Sequence, residues 1–198
     1  MEQNVISPFI IFFASIFTGN MILSNFLGMC PYISVSNEYK TASGLGKAVT
    51  LVITVTTVLN WLVYKYILTR WGLESLRFIV FIIIIAASVQ IIELFMDRFL
   101  PDLHIKLGIF LPLITVNCAI LGISLFMVIR EYNFIQTLFF SIGSGFGWYI
   151  AILALSAIRE KIKNNKLPEG LAGPGITFII TGLMAMAFFG FSGMFTVR

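Results

Sequence analysis

Gly108-Ile-Phe-Leu-Pro-Leu-Ile-Thr-Val-Asn-Cys-Ala-Ile-Leu-Gly122 is an uncharged run long enough to form part of a membrane span, yet it carries a thiol, Cys118, with Asn117 beside it. The only other cysteine, Cys30, lies in Asn25-Phe-Leu-Gly-Met-Cys-Pro31, at the corresponding place in the first half of the chain. Two lone thiols in matching positions of two halves organise the rest of the sequence.

The chain around them is not that of a soluble domain. Of its 198 residues, 59% are apolar and only 11% charged, with a mean hydropathy of +0.98; soluble globular domains carry about a quarter charged residues. Uncharged runs cover Gln3–Asn37, Ala48–Tyr64, Phe78–Ile92, Leu107–Ile129, Tyr132–Ile158 and Gly170–Val197. A helix crosses a bilayer with roughly 20 apolar residues. The third run is short, but Leu-Phe-Met after Glu93 extends it to about Met96. The expectation is an all-α integral membrane protein of six transmembrane helices, forming a single membrane domain over residues 1–198.

A net charge of +4 does not imply a nucleic-acid partner, because the basic residues are scattered through short loops and form no patch. The positive-inside rule accounts for them better. With the N-terminus outside, the inner segments hold eight Lys and Arg residues and the outer segments five, and Arg159, Lys161, Lys163 and Lys166 decide most of the difference. Both termini are therefore expected outside, which in a bacterial inner membrane is the periplasm. Glu2 replaces a basic leader, and the first apolar run is too long for a signal-peptide core, so it is expected to be retained as a helix.

The first segment, about Ser7 to Val35, is expected to break around Met29-Cys30, between Gly28 and Pro31, because proline removes a backbone donor and clashes one turn back. Such a break is tolerated at membrane depth where it faces protein or a cavity. The second helix is expected over about Ala42 to Tyr66, with Trp61, Tyr64, Tyr66 and Trp71 at an interface. The third is expected over about Leu73 to Phe99, and Pro112 lies near the start of the fourth. Gly143-Ser-Gly-Phe-Gly147 in the fifth helix, and Gly170, Gly173, Gly175, Gly182, Ala185, Gly190 and Gly193 in the sixth, read as small-residue faces for close helix packing.

An internal repeat is visible. Cys30 and Cys118 align at an offset of 88, which also places Ser36 on Ser124, and Gly72-Leu73 opens the third helix much as Gly170-Leu171 opens the sixth. Halves of about 1–100 and 101–198 would each hold three spans, an odd number, so the second would enter from the opposite side as an inverted-topology 3+3 repeat with helices 1 and 4 broken. Such folds put their functional site near the midplane, on broken helices at the repeat interface.

Two readings of the thiols stand on residue chemistry alone. Free cysteine packs as a small hydrophobe and is often buried. Thiolates also suit iron–sulfur clusters, but a [2Fe–2S] cluster normally takes four cysteines, so this chain would supply half a set and a second chain the rest. A disulfide is disfavoured by its demanding geometry and by a bilayer core remote from oxidising machinery. Glu93 is a candidate for an ion pathway, although its nearness to Asp97-Arg98 favours snorkelling toward an interface. Asn20, Asn25, Asn60 and Asn117 can bridge helices. His104, in Pro101-Asp-Leu-His-Ile-Lys106, has no second histidine with which to share a metal. No phosphate loop, dinucleotide fingerprint or Ser/His/Asp set is present, so no NADH chemistry is expected in this chain itself.

The runs Asn25–Pro31, Leu107–Leu121 and Gly182–Gly193 resemble the NqrDE/RnfAE family, small membrane subunits of sodium-translocating NADH:quinone reductases and of the related Rnf complexes. The resemblance covers nearly the whole chain. Val128–Phe134, Gly143–Trp148, Ile158–Lys161 and Gly170–Phe178 look most like the E-type subunit of the reductase, with the A-type subunit of the Rnf ferredoxin:NAD+ oxidoreductase as the alternative. The resemblance implies a six-helix inverted repeat paired with a homologous D-type subunit, within a complex that also holds A-, B-, C- and F-type subunits. It implies a [2Fe–2S] cluster held by two cysteines from each of the pair, here Cys30 and Cys118, with flavins only in other subunits and electron flow to ubiquinone coupled to sodium export. Pro31 and the Thr-Gly-Asn context of Asn20 depart from the pattern without touching the implied ligands. An inverted-repeat ion transporter, or an assembly subunit without a redox centre, is the reading in which the cysteines only pack.

Overall fold

The computed structural model describes residues 7–99, 111–163 and 173–190. His104 with its loop, Lys166, Gly170, Gly193 and the start of the opening stretch, Gly108 to Phe110, lie outside the described residues, as do both chain ends on which the expected orientation partly rests.

The described residues are helical, without strands. Helix α1 (Pro8–Ile16) starts on proline, whose missing N–H is one that a first turn leaves unpaired anyway. After a stretch of turns, α2 (Met29–Val35) follows. Helix α3 runs over Tyr39–Trp71 and widens to a π-helical turn at Tyr64–Leu68. A 3-10 turn, Glu74–Leu76, leads into α4 (Arg77–Phe99). Then come α5 (Leu111–Thr115), α6 (Cys118–Ile129), α7 (Phe134–Ile162) and α8 (Pro174–Phe189). Tyr39–Trp71, Glu74–Phe95 and Phe134–Ile162 are long and apolar enough to cross a membrane, and Leu113–Ile129 and Pro174–Phe189 are shorter apolar helices.

Two boundaries differ from the sequence expectation. The first segment leaves the helix after Ile16, not at Gly28–Pro31, and Pro31 is the third residue of α2. There it disrupts nothing, because the first four N–H groups of a helix have no intrahelical acceptor. Helix α3 also outlasts its expected end by about a turn, reaching Trp71. The extra residue per turn at Tyr64–Leu68 is the π distortion, of a kind that proteins tolerate as single turns.

Helix α7 is the central element. Its start is fixed by a capping box, in which Asn133 caps and Gln136 Oε1 accepts the Asn133 N–H at 3.1 Å. Arg159 and Lys161 in its last turn complement the helix dipole. Its glycines let neighbours in. A Cβ on Gly143 would stand 2.8 Å from Phe12 O, and one on Gly147 would stand 3.1 Å from Ile16 Cα, so α1 lies directly on this face. A Cβ on Gly145 would meet Thr50 Cγ2 at 2.9 Å, on the side where α3 packs antiparallel. Thr50 Oγ1 donates to Gly145 O at 3.0 Å across this contact. The close-packing expectation holds for the fifth span. On α8 the described residues show a mixed result: Ala185 packs against the core, whereas Gly173, Gly175 and Gly182 have no described residue within 4 Å of a built Cβ.

The core gathers between α3, α6 and α7, around Leu45, Val49, Ile53, Ile120, Ile123, Trp148, Ile152 and Leu155. Outward faces carry large apolar side chains, among them Ile79, Ile83, Leu183, Met186 and Phe189. Apolar residues both inside and outside characterise a helix bundle that lives in lipid. Several buried hydroxyls donate within their own helices: Thr56 to Val52 O at 2.7 Å, Ser124 to Ile120 O at 3.0 Å and Thr181 to Thr177 O at 2.7 Å. Hydrocarbon supplies no alternative acceptor.

Candidate functional site

The two cysteines open two helices. Cys30 is the second residue of α2, after Gly28 as N-cap. Cys118 is the first residue of α6, after Asn117, whose Oδ1 accepts from Ala119 N at 3.0 Å. These helix starts meet: Gly28 N donates to Cys118 Sγ at 2.9 Å, although the two residues are 90 positions apart. Both thiols are free and exposed on this chain, so neither is a packing residue of its core. Among the described residues, no group of three or more His, Cys, Asp or Glu side chains could hold a metal ion.

Gly28 is needed here twice over. Its φ of +84° lies in the left-handed region, which L-residues with a Cβ avoid. A Cβ there would also stand 2.7 Å from Trp148 Nε1 and 3.0 Å from Ala119 Cβ. Phe26, two residues earlier, is itself left-handed at φ +54°, so the turn before Cys30 holds uncommon backbone twice in three residues.

The neighbours of Gly28 fix the level of the site. Trp148 lies midway along the 29-residue α7. From that level α2 and α6 run in opposite directions. The end of α2 reaches Arg159, near the end of α7, whose Nη1 donates to Ile33 O at 3.0 Å and to Ser36 Oγ at 2.6 Å. A guanidinium on the last carbonyls of a helix satisfies acceptors that have no intrahelical donor. Helix α6 runs the other way: Asn60 Nδ2 donates to Ser124 Oγ at 2.8 Å. Next on α3, Trp61 Nε1 donates to Tyr132 O at 2.9 Å, beside the start of α7.

The stretch between α1 and α2 is held to α7 by Asn20. Its Nδ2 donates to Gly147 O at 2.9 Å, while its Oδ1 accepts from Ile22 N at 3.1 Å. Of the four asparagines expected to bridge helices, Asn20 and Asn60 do so through these bonds, and Asn117 caps α6. Asn25 is exposed, and its Nδ2 donates to Met21 Sδ of its own turn at 3.9 Å. Glu93 is half-buried on α4, between exposed Ile91 and Leu94. Sequence reasoning misses two members of the site. It reads Trp148 only as part of the family-like run Gly143–Trp148, and Arg159 as a topogenic charge and part of the family-like run Ile158–Lys161. Neither has a local signal, since each acts across more than a hundred residues of chain.

Residues 9–195 match the family described as "Rnf-Nqr subunit, membrane protein". The chain is 50% identical to the E subunit of the Na(+)-translocating NADH-quinone reductase of Nitrosomonas europaea, over 93% of this chain and 96% of that protein. It is 51% identical to the protein of the same name from Maridesulfovibrio salexigens, again over 93% and 96%. With the one from Aeromonas hydrophila it shares 53% identity, over 91% and 94%. Half the residues kept across nearly the full length of both chains, together with a family match that takes in both thiol-bearing helix starts, leave one conclusion: the chain belongs to the Rnf-Nqr family of membrane subunits.

Proposed function

We propose that this chain serves as the E-type subunit of a sodium-translocating NADH:quinone reductase, and that Cys30 and Cys118 supply half the ligands of a [2Fe–2S] cluster completed by two cysteines of a homologous D-type subunit. The meeting of the two helix starts carries this reading: Gly28 N–H on Cys118 Sγ, with Cys30 two residues beyond Gly28. The residues fit such a group. Two free thiols stand exposed where a second chain can approach, and an N–H already donates to one sulfur. Such donors stabilise the negative charge of a sulfur ligand. Soft thiolates are the chemistry an iron–sulfur centre takes. When bound, the cluster supplies one-electron transfer.

This chain's own residues would hold the thiols rather than react. Gly28 orients Cys118, Asn117 fixes the start of α6, and Arg159 anchors the far end of α2. NADH oxidation, flavin chemistry and quinone reduction would belong to the other subunits, the A, B, C, D and F types among them, and sodium export to the assembled enzyme. The opposed directions of α2 and α6 from one level of α7 support a six-span inverted 3+3 repeat, with halves of about 1–100 and 101–198 and the thiols near the bilayer midplane. The location would be the bacterial inner membrane, with both termini periplasmic.

The purified complex carrying Cys30→Ser or Cys118→Ser is expected to lose the paramagnetic signal of a reduced [2Fe–2S] centre and about two irons per complex, the content of one such cluster, with subunit composition intact. Unchanged iron and unchanged quinone reduction in both variants would leave the cysteines without this role.

A further inference from the structure

A cleft between the end of α3 and the start of α7 takes no part in holding the thiols. Its volume of about 510 Å³ falls within the roughly 300–1,000 Å³ of small-molecule sites. Four charged side chains line it: Lys65 from the π-helical turn of α3, Glu74 from the 3-10 turn, Arg77 from the start of α4 and Glu131 from the turn after α6. Two cations and two carboxylates share the cleft, yet among the described residues none of the four is in an ion pair. Arg130 beside them is committed elsewhere, donating to Tyr132 Oη at 3.1 Å and lying over the Phe126 and Phe140 rings.

Two irregularities of the backbone build this lining. The π-helical turn at Tyr64–Leu68 brings the consecutive residues Tyr64 and Lys65 to the cleft, and such turns recur at functional sites. Helix α6 closes with Glu131 N–H on Val128 O at 3.1 Å and Tyr132 N–H on Met127 O at 3.2 Å, a Schellman pattern whose left-handed position glycine usually takes. Here Glu131 takes it, at φ +51°, so a carboxylate is set on the cleft at a steric cost that glycine would not carry.

The cleft also has a definite level. Helices α3 and α6 end around it, α4 and α7 begin there, and Tyr66 and Trp71 are exposed on the last turns of α3. Such rings belong to the headgroup zone of a bilayer. Ile129 adds an exposed apolar wall. A simple anion entering here would meet two carboxylates and a simple cation two basic side chains, which selects against both.

We propose that this cleft binds a phospholipid whose headgroup joins a phosphate to a primary ammonium, with Lys65 and Arg77 on the phosphate and Glu74 and Glu131 on the ammonium. A primary ammonium donates charge-assisted hydrogen bonds to carboxylates, and a quaternary one has no N–H to give. This site is independent of the ligand role of Cys30 and Cys118.

The test titrates the intact purified complex, stripped of loosely held lipid in detergent, with phosphatidylethanolamine, phosphatidylglycerol and phosphatidylcholine of identical acyl chains. Bound lipid is counted by native mass spectrometry. Phosphatidylethanolamine is expected to bind about tenfold more tightly than the other two, the worth of one charge-assisted hydrogen bond. Glu131→Gln is expected to remove that preference, and Arg77→Met to weaken phosphatidylethanolamine binding by about tenfold. Glu74→Gln and Lys65→Met carry the same measurements where a first variant does not assemble. Phosphatidylcholine or phosphatidylglycerol bound as tightly as phosphatidylethanolamine by the unmutated complex would overturn the inference. So would a preference that survives the substitutions, which is the result expected if another subunit fills the cleft.

Discussion

Gly28 joins three constraints at one Cα. It holds a left-handed turn, leaves room for the Trp148 indole and points its N–H at Cys118 Sγ. Gly28→Ala is therefore expected to cost about 1–2 kcal/mol for the left-handed backbone and a further 1–3 kcal/mol for overpacking against Trp148 and Ala119. In detergent, the thermal midpoint of the variant complex should fall, and its iron content should fall with it as the N–H···S contact is lost. A midpoint equal to that of the unmutated complex would show that the turn accommodates a Cβ. The sequence disclosed the thiols, because two cysteines among 198 residues stand out, and with them the Gly28, Pro31 and Asn117 that lie beside them. It did not disclose that Gly28 serves Cys118 more directly than its neighbour Cys30. That pairing crosses 90 residues and exists only once α2 and α6 meet.

Helix α7 shows how small residues in lipid can have opposite consequences. The Gly143 position is closed by a backbone carbonyl, Phe12 O, which cannot swing aside as a side-chain tip can, whereas a Cβ on Gly182 of α8 would meet none of the described residues. Gly143→Ala is expected to push α1 away and destabilise the isolated subunit by about 1–3 kcal/mol. Gly182→Ala is expected to be neutral or to stabilise it by up to about 1 kcal/mol, through the helix preference of alanine over glycine. Thermal unfolding of the two variants in detergent compares them directly, and equal effects would contradict this difference in packing. Sequence pattern treated the two glycine sets alike, because a small-residue spacing identifies a face without saying whether this chain covers it. Capping chemistry marks two helix starts, Asn133 with Gln136 and Asn117, that the run of uncharged residues did not locate. Pro31 misled, since proline breaks a helix from within but sits without penalty in a first turn.

At the scale of the whole molecule, the contacts sort the loop charges into two ends. Helix α3 runs antiparallel to α7, with Gly46 against Tyr149 and Trp61 against Phe134. Helix α1 runs parallel to α7, since Phe9 meets Phe139 and Ile16 meets Gly147. The start of α3, with Lys40, therefore lies toward Arg159, Lys161 and Lys163, the end that α2 also reaches. The start of α1 lies toward the opposite end, where Arg130 adjoins Glu131 and where Lys65, Glu74 and Arg77 share a cleft of about 510 Å³ with Glu131. Lys and Arg within short loops set orientation while acidic residues contribute little, so the Arg159–Lys163 end is expected in the cytoplasm and Glu131 outside. Glu131 and Lys163 are both exposed and report on the two ends. In intact cells, a membrane-impermeant maleimide is expected to label Glu131→Cys and to spare Lys163→Cys until the cells are permeabilised, with the unmutated chain as background for the two native thiols. The reverse pattern would invert the whole chain. It would leave the thiol pair at the same depth, because that depth is set by Gly28 against Trp148 midway along α7 and not by which end faces the cytoplasm.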